Sequence, residues 1–407
     1  MKKVFFLIWI TINVCFITEA FSYNHTEPDN NNNTEYNIQL YLKEDRQAHK
    51  LLSTYKDNLP YNQVCWLTSH NSFAYKDPSF KHPKFPNQKL DINSQLKYGV
   101  RSFMIDLWYP GPGKVEKEII IAHSNDRDGQ RLFAQPFLPF LQTMQDWLDS
   151  HKEDIVTVHL ESWIGDYQKI YSVLGTAKLQ NLLFDLCEYH GGKTIQKKGS
   201  SACSLPTGKE LDPGQLQWPT LGELRNTGKR LIIFSDSGED IGPGIMHTKE
   251  YMETQYDLIS YPDCEMRPDN RTIGANLFVM NHFYPVRILG MNFGADFPYI
   301  SKKLMVTTPN SYEEVYARMC TCFTQYKQIP NFIAMDFIGT GKADEREIII
   351  AINNGSIVLP CSRQLAKNES VISVFAPYFV AICGGAALTS YCALKTWRRF
   401  HVHDKLP

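Results

Sequence analysis

Apolar runs of strand length alternate with helical stretches through the middle of the chain. Seven such runs are rich in apolar residues: Gln63–Leu67, Gly99–Trp108, Glu118–His123, Asp154–Glu161, Arg230–Asp236, Asn276–His282 and Asn331–Phe337. Helical periodicity follows several of them, as in Phe137–Lys152, where apolar residues recur at intervals of three and four. Strands that alternate with helices predict parallel pairing.

The runs share a polar residue at or just beyond their carboxyl ends. These residues are His70, Asp106, His123, Glu161, Asp236, Asn281 with His282, and Asp336. In an α/β barrel several strands each contribute a residue to a site at their carboxyl ends, whereas an open doubly wound sheet concentrates its site at one switch point. We therefore predict a TIM-type (β/α)8 barrel, a single catalytic domain over residues 51–364, with seven of its eight strands identified.

Side chains alternate between the two faces of a strand, and this separates candidate site residues from structural ones. Asp106 shares its face with Met104, and Glu161 shares its face with His159. If Asp106 faces the barrel mouth, Met104 lies one layer below it. Arg101 then points the other way and is predicted to be structural.

Both ends of the chain predict an association with membranes. Residues 1–20 have a basic start and an apolar run typical of a signal peptide, and residues 21–50 form a polar linker. Residues 371–394 contain no charge and exceed the roughly 20 apolar residues that cross a bilayer. The basic tail 395–407 marks the cytoplasmic side. We expect a single-pass protein with an extracellular or lumenal ectodomain, and a GPI anchor is the minority alternative.

Composition and charge bear on the core and on the kind of partner. The 407 residues are 43% hydrophobic, which is enough for a large core. Their formal net charge of -1 argues against a nucleic-acid-binding protein, because such proteins carry a basic excess. Seven cysteines lie outside the two terminal apolar segments, so they cannot all pair within the chain. Their pairing stays open. They are Cys65, Cys187, Cys203, Cys264, Cys320, Cys322 and Cys361.

Two histidines at strand ends with carboxylates beside them suit general acid–base catalysis. Imidazoles titrate near neutrality, so His70 can accept a proton while His123 donates one, as phosphodiester cleavage requires. Asn71, Asp106 and Glu161 offer hard oxygen donors to a metal ion. A single histidine at a strand end is more often structural, and it is the pair that favours catalysis.

The same segments resemble the X-domain family of phosphatidylinositol-specific phospholipases C, in particular its X-domain-only secreted or membrane-anchored members. The resemblance includes "LTSHNSFAY", "IIIAHS", "WLDSHKEDIVTVHLESW", "NLFVMNHFYP" and "IPNFIAMDF", in order, and covers about residues 51–357. It implies an α/β barrel with His70 as general base and His123 as general acid. The implied reaction is attack of the inositol 2-hydroxyl on phosphorus, which gives a cyclic inositol phosphate and diacylglycerol.

The resemblance also implies a cofactor. In the calcium-dependent branch of the family, residues at the positions of Asn71, Asp106 and Glu161 bind the metal, so calcium is the expected ion. Met104 stands where that branch has a further acidic ligand, and a thioether is a poor ligand for a hard cation. A weaker calcium site or magnesium is the alternative. Asp236, Asn281 and His282 are candidate substrate-binding residues at the site wall.

Three functions remain open from the sequence. The first is a membrane-anchored phosphoric diester hydrolase of phospholipase C type, acting on an inositol phospholipid or related glycolipid. The second is a glycerophosphodiesterase or sphingomyelin-cleaving barrel, which usually carries a Glu-x-Asp pair where this chain has Met104 and Asp106. The third is an inactive barrel that acts as a surface binding protein. The presence of both His70 and His123 favours an enzyme.

Overall fold

The computed structural model describes most of the predicted barrel domain. The described residues are 46–77, 79–80, 86–109, 118–125, 131–197, 200–211, 216–254, 264, 277–283, 287–288, 291–292, 310–339 and 344–357. The chain divides into two units, Met1–His49 and Lys50–Pro407, and the elements below all lie in the second.

Sixteen strands have their bounds within the described residues. They are β1 (Trp66–Ser69), β2 (Ser102–Trp108), β3 (Ile120–Asn125), β4 (Arg131–Pro136), β5 (Val156–Ser162), β6 (Leu183–Phe184), β7 (Lys193–Lys197), β8 (Ser200–Ser204), β9 (Glu210–Leu211), β10 (Leu231–Ser235), β11 (Met246–His247), β12 (Met252–Thr254), β13 (Leu277–His282), β14 (Arg287–Ile288), β15 (Met291–Asn292) and β16 (Phe332–Met335).

Eight α-helices have their bounds in the same part of the chain. They are α1 (Ile92–Tyr98), α2 (Phe137–Ser150), α3 (Tyr167–Thr176), α4 (Leu186–Tyr189), α5 (Leu221–Thr227), α6 (Thr248–Tyr251), α7 (Tyr312–Tyr326) and α8 (Arg346–Asn353). Side chains fix several helix starts. Asp91 accepts from the backbone N–H of Ser94 at α1, and Thr220 and Glu223 form a reciprocal capping box at α5.

Eight parallel strands form the main path of one curled sheet, from which β3, β4 and β6 branch, and this confirms the predicted α/β architecture. Its order is β11-β10-β5-β2-β1-β16-β13-β12, so the strands follow one another in chain order and the last pairs with the first. Within the described residues, β11 and β12 are the two edges. The sheet is therefore a barrel that is open at one seam.

The structure corrects the strand assignment at two places. The run that ends in His123 is not a parallel barrel strand: β3 pairs antiparallel with β2 and β4, so His123 lies on a hairpin. The barrel instead includes β11 and β12, which the sequence analysis missed. Strands of two and three residues are too short to show a period of two.

Aromatic side chains and one histidine fill the barrel below the strand ends. Tyr61 packs against Phe332, and its hydroxyl hydrogen-bonds with the Thr157 hydroxyl at 2.7 Å. His159 contacts the rings of Phe332 and Phe234. The interior at these residues is therefore packed, and in α/β barrels the site lies at the carboxyl ends of the strands.

Among the described residues, two disulfides are defined by both partners, and they answer part of the pairing question that the sequence left open. Cys187 on α4 pairs with Cys203 on β8, and Cys264 pairs with Cys322 on α7. Cys320 on α7 is also disulfide-bonded. Cys65 is a free, buried thiol. The first bridge ties the antiparallel β7–β8–β9 sheet to the barrel domain.

The predicted signal segment 1–20, the membrane span 371–394 and the tail 395–407 lie outside the described residues. Among the residues that are described, no helix combines the length and apolarity needed to cross a bilayer.

Arg101 has the structural role that strand alternation predicts. Its guanidinium is 1% exposed and pairs with the Asp154 carboxylate at 2.8 Å. It also donates to the carbonyls of Leu96 and Val100 and lies 5.1 Å from the centre of the Trp147 ring. The cation therefore joins α1, α2 and the start of β5, away from the barrel mouth.

We expect Arg101→Met to lower the free energy of unfolding by about 3 kcal/mol, because it leaves the Asp154 carboxylate without its cation and two carbonyls without a donor. Urea denaturation followed by circular dichroism measures the change. Lys152→Ala is the control, since Lys152 pairs with Asp149 at an exposed site, and its effect should stay within about 0.5 kcal/mol. Equal effects of the two variants would contradict the structural role of Arg101.

Candidate active site

The predicted base lies directly beyond β1. The chain turns at Asn71, which has a φ of 41°, a left-handed conformation that asparagine tolerates better than most residues. His70 is left with its side chain 20% exposed. The turn therefore presents the imidazole at the carboxyl end of the sheet, where the sequence predicts the site.

A carboxylate orients the imidazole of His70. Asp336, which follows β16, places Oδ1 2.8 Å from His70 Nδ1, and its own side chain is 3% exposed. A carboxylate only accepts hydrogen bonds, so Nδ1 carries the proton and Nε2 is left as the acceptor. The sequence analysis had noted Asp336 at a strand end without assigning it to the site.

An aromatic ring covers one face of the same imidazole. Phe283, the residue after β13, stacks on His70 with ring centroids 3.6 Å apart and planes 6° apart. This contact holds the plane of the imidazole in addition to the Asp336 hydrogen bond. A substrate can then approach His70 from its other side.

His123 lies within electrostatic range of His70. Burial first, and the neighbouring His70 second, lower the pKa of His123 to about 4. The β3–β4 hairpin carries it, and β3 pairs with the end of β2 through Leu107 and Trp108. The structure thus brings the two predicted catalytic histidines together through an antiparallel extension of the sheet.

Glu161 and Asp236 lie within electrostatic range of Asp106 at the carboxyl ends of the strands. Asp106 and Glu161 are register partners on β2 and β5. Asp106 is 6% exposed, and its pKa is raised well above the usual range by burial and then by the charges of Glu161 and Asp236. Asp236 also accepts a hydrogen bond from the backbone N–H of Ser162 at 2.9 Å.

The two remaining candidate residues lie on opposite faces of β13. Asn281 pairs in register with Ala334, and His282 pairs with Met335. Phe332 and Ala334 share the barrel-interior face of β16, so Asn281 shares it too. His282 lies on the other face and is 1% exposed.

An indole pair marks the rim of the site. Trp108 at the end of β2 and Trp163 just after β5 stack with centroids 3.8 Å apart, and Trp163 is 45% exposed. The Lys169 ammonium lies 4.9 Å from the centre of the Tyr109 ring beside them. Aromatic and basic side chains of this kind suit a membrane interface.

The residues at the strand ends fit a calcium ion in donor chemistry. Asn71, Asp106 and Glu161 supply amide and carboxylate oxygens, which hard cations prefer. Burial first, and then the charges of Glu161 and Asp236, raise the pKa of Asp106, and a nearby cation would favour its ionised form. Within the described ranges, no group of three or more His, Cys, Asp or Glu side chains is arranged to hold a metal ion.

The fold and this site define an α/β barrel with histidines at its strand ends, and a family model and two relatives show what the chain is similar to. The family model PI-PLC X 1 matches residues 192–351. PI-PLC X domain-containing protein 1 of Arthroderma benhamiae is 26% identical over 288 residues, which cover 69% of this chain and 82% of that protein. A PI-PLC X domain-containing protein of Arabidopsis thaliana is 23% identical, over 56% of this chain and 51% of its own.

Solved structures also align with the chain. Phosphatidylinositol-specific phospholipase C from Listeria monocytogenes aligns with a TM-score of 0.44 and 12% identity, over 75% of this chain and 98% of its own. A pentafluoro-Phe-incorporated form of the Staphylococcus aureus protein aligns with a TM-score of 0.44 and 16% identity, over 76% and 99%. The resemblance to the PI-PLC X domain family predicted from the sequence is confirmed by the family model and the two relatives.

The low pKa of His123 predicts acid sensitivity. The unfolded chain takes up a proton near the ordinary histidine pKa of about 6.5, whereas folded His123 resists it down to about 4. Stability should therefore fall as the pH drops from about 6.5 to about 4. We expect His123→Gln to lose about 2 kcal/mol less stability than wild type between pH 7 and pH 4.5.

Urea unfolding at the two pH values measures this difference. The exposed His190, which bonds the carbonyl of Gln217, gives the control variant His190→Gln, and this variant should match wild type. An unchanged acid loss in His123→Gln would show that other groups cause it.

Proposed function

We propose that the protein is a phosphoric diester hydrolase of phospholipase C type that cleaves inositol phospholipids or related glycolipids at a membrane. The observation that carries the proposal is the oriented pair of His70 and Asp336, with His123 close enough to sense the charge of His70. Two imidazoles at one mouth suit acid–base chemistry at phosphorus. The exposed indole of Trp163 beside that mouth suits a substrate held in a lipid surface.

The reaction needs one proton acceptor and one proton donor. Nε2 of His70 takes the proton from the attacking inositol hydroxyl, whose oxygen bonds to phosphorus. The bond from phosphorus to the diacylglycerol oxygen breaks, and His123 donates a proton to that oxygen. Asp336 stabilises the charged imidazole of His70 and fixes its tautomer.

His123 must be protonated to act as the acid, and its surroundings explain when this happens. With its pKa at about 4, His123 is neutral in the empty site at pH 7. A bound phosphodiester brings a negative charge, which favours the imidazolium and raises the pKa. Substrate binding therefore favours the protonated form of His123, which can donate the proton.

A calcium ion, if bound, would supply positive charge for the phosphate oxygens, and Asn71, Asp106 and Glu161 would hold it. The proposed location follows the sequence: an ectodomain tethered to the membrane by residues 371–394.

We expect His70→Ala and His123→Ala each to lower kcat on phosphatidylinositol vesicles by about 10²–10⁴-fold, because each removes one proton-transfer group. ³¹P NMR follows the cyclic inositol phosphate product in the presence and absence of chelator. His190→Ala, at an exposed site, should retain full activity.

Full activity in either histidine variant would contradict the acid–base assignment. A folded wild-type protein that cleaves neither phosphatidylinositol, sphingomyelin nor glycerophosphodiesters would favour the binding-protein alternative.

The metal proposal has its own test at Met104. Met104→Glu adds a carboxylate one layer below Asp106 on the same face of β2, so calcium affinity should increase about 10-fold. Isothermal titration calorimetry of the full chain with calcium chloride measures the change without any turnover. Met104→Leu is the matched control and should bind calcium as wild type does. Equal calcium affinity in wild type, Met104→Glu and Met104→Leu would show that Asn71, Asp106 and Glu161 do not form the metal site.

A further inference from the structure

The segment Asn87–Gln88 lies outside every strand and helix, yet it contacts both loops that carry the His70–Asp336 pair. Gln88 is fully buried, and Asn87 is 9% exposed. The amide of Gln88 donates to the carbonyls of His70 at 2.7 Å and Met335 at 3.0 Å. The segment therefore fastens the end of β1 to the end of β16.

Asn87 contacts the carboxylate itself. Its Nδ2 lies 3.2 Å from both Oδ1 and Oδ2 of Asp336. The orientation of the amide follows from chemistry, because a carboxylate can only accept and must face the NH₂ end. The backbone carbonyl of Asn87 accepts from the N–H of Phe337 at 2.7 Å, which holds the next residue as well.

The other end of the same amide points toward the candidate metal residues. The Oδ1 of Asn87 accepts from Nδ2 of Asn71 at 3.5 Å, a long contact. That contact turns the donor end of Asn71 toward Asn87 and leaves its oxygen for the site. The Asn87 side chain thus contacts both Asp336, the partner of His70, and Asn71, the residue that follows His70.

We propose that Asn87 is a positioning residue for the base: it holds the Asp336 carboxylate in the plane in which Oδ1 accepts from Nδ1 of His70. This inference rests on the proposed function for its catalytic meaning. Without Asn87, the carboxylate keeps His70 as its hydrogen-bond partner but loses the contact that fixes its rotation. The base is then oriented for a smaller fraction of the time, although the substrate contacts are unchanged.

The test compares Asn87→Leu with Asn310→Ala in the full chain. Leucine resembles asparagine in size but offers no hydrogen bond. Asn310 is 3% exposed and donates to the backbone carbonyl of Asp336 at 2.9 Å, so its variant removes an equally buried contact that does not involve the carboxylate. Asn87→Ser keeps one donor and serves if the leucine variant does not fold.

We expect Asn87→Leu to lower kcat on phosphatidylinositol about 10-fold with KM within about 2-fold of wild type, as for loss of a positioning contact. In ¹H NMR, the downfield Nδ1–H signal of His70 should broaden or disappear. Asn310→Ala should keep the wild-type kcat and signal, and Asn87→Ser should lie between.

The outcomes separate this inference from the proposed function. If Asn87→Leu, or Asn87→Ser where leucine prevents folding, matches Asn310→Ala in kcat, in KM and in the NMR signal, Asn87 has no positioning role, whatever the wild-type activity. If wild type cleaves no phosphodiester but the His70 signal still depends on Asn87, the proposed function is wrong and the positioning role stands.

Discussion

The parallel pairing of the first barrel strand with the last is the constraint on which the site depends. Trp66 to Ser69 pair in register with Phe332 to Met335, so the next residue on each strand, His70 and Asp336, fall side by side although 266 positions separate them. A slip of one residue in this register would turn one of the two side chains to the other face. The hydrophobic packing that sets the register of the sheet therefore also sets the alignment of the base.

Two opposite electrostatic surroundings meet at the mouth of the barrel. Burial first, and then the neighbouring His70, disfavours the charged form of His123, while burial and then the charges of Glu161 and Asp236 disfavour the charged form of Asp106. Under the proposed function, an anionic phosphodiester would favour the charged imidazole, and a cation would favour the charged carboxylate.

Sequence patterns predicted the parts of the site that depend on strand alternation alone. Asp106 and Glu161 share a face with residues that line the barrel, and Arg101 points away, as predicted. The pattern failed at His123, because a period of two does not distinguish a parallel strand from an antiparallel hairpin. It also gave no signal for Asn87, whose partners lie on two loops brought together only when the barrel forms. The sequence showed that Asp336 is a polar residue at a strand end, but only the register of β1 with β16 shows that its partner is His70.

The position of β16 near the end of the barrel domain has a consequence for biosynthesis. A nascent chain displays both histidines and the acidic cluster long before the ribosome adds the aspartate that follows β16. Until that strand docks against the first one, the imidazole at the end of β1 has no carboxylate to orient it. The histidine–aspartate pair is therefore complete only after the last strand of the sheet has docked, and a chain that terminates before that strand lacks the pair.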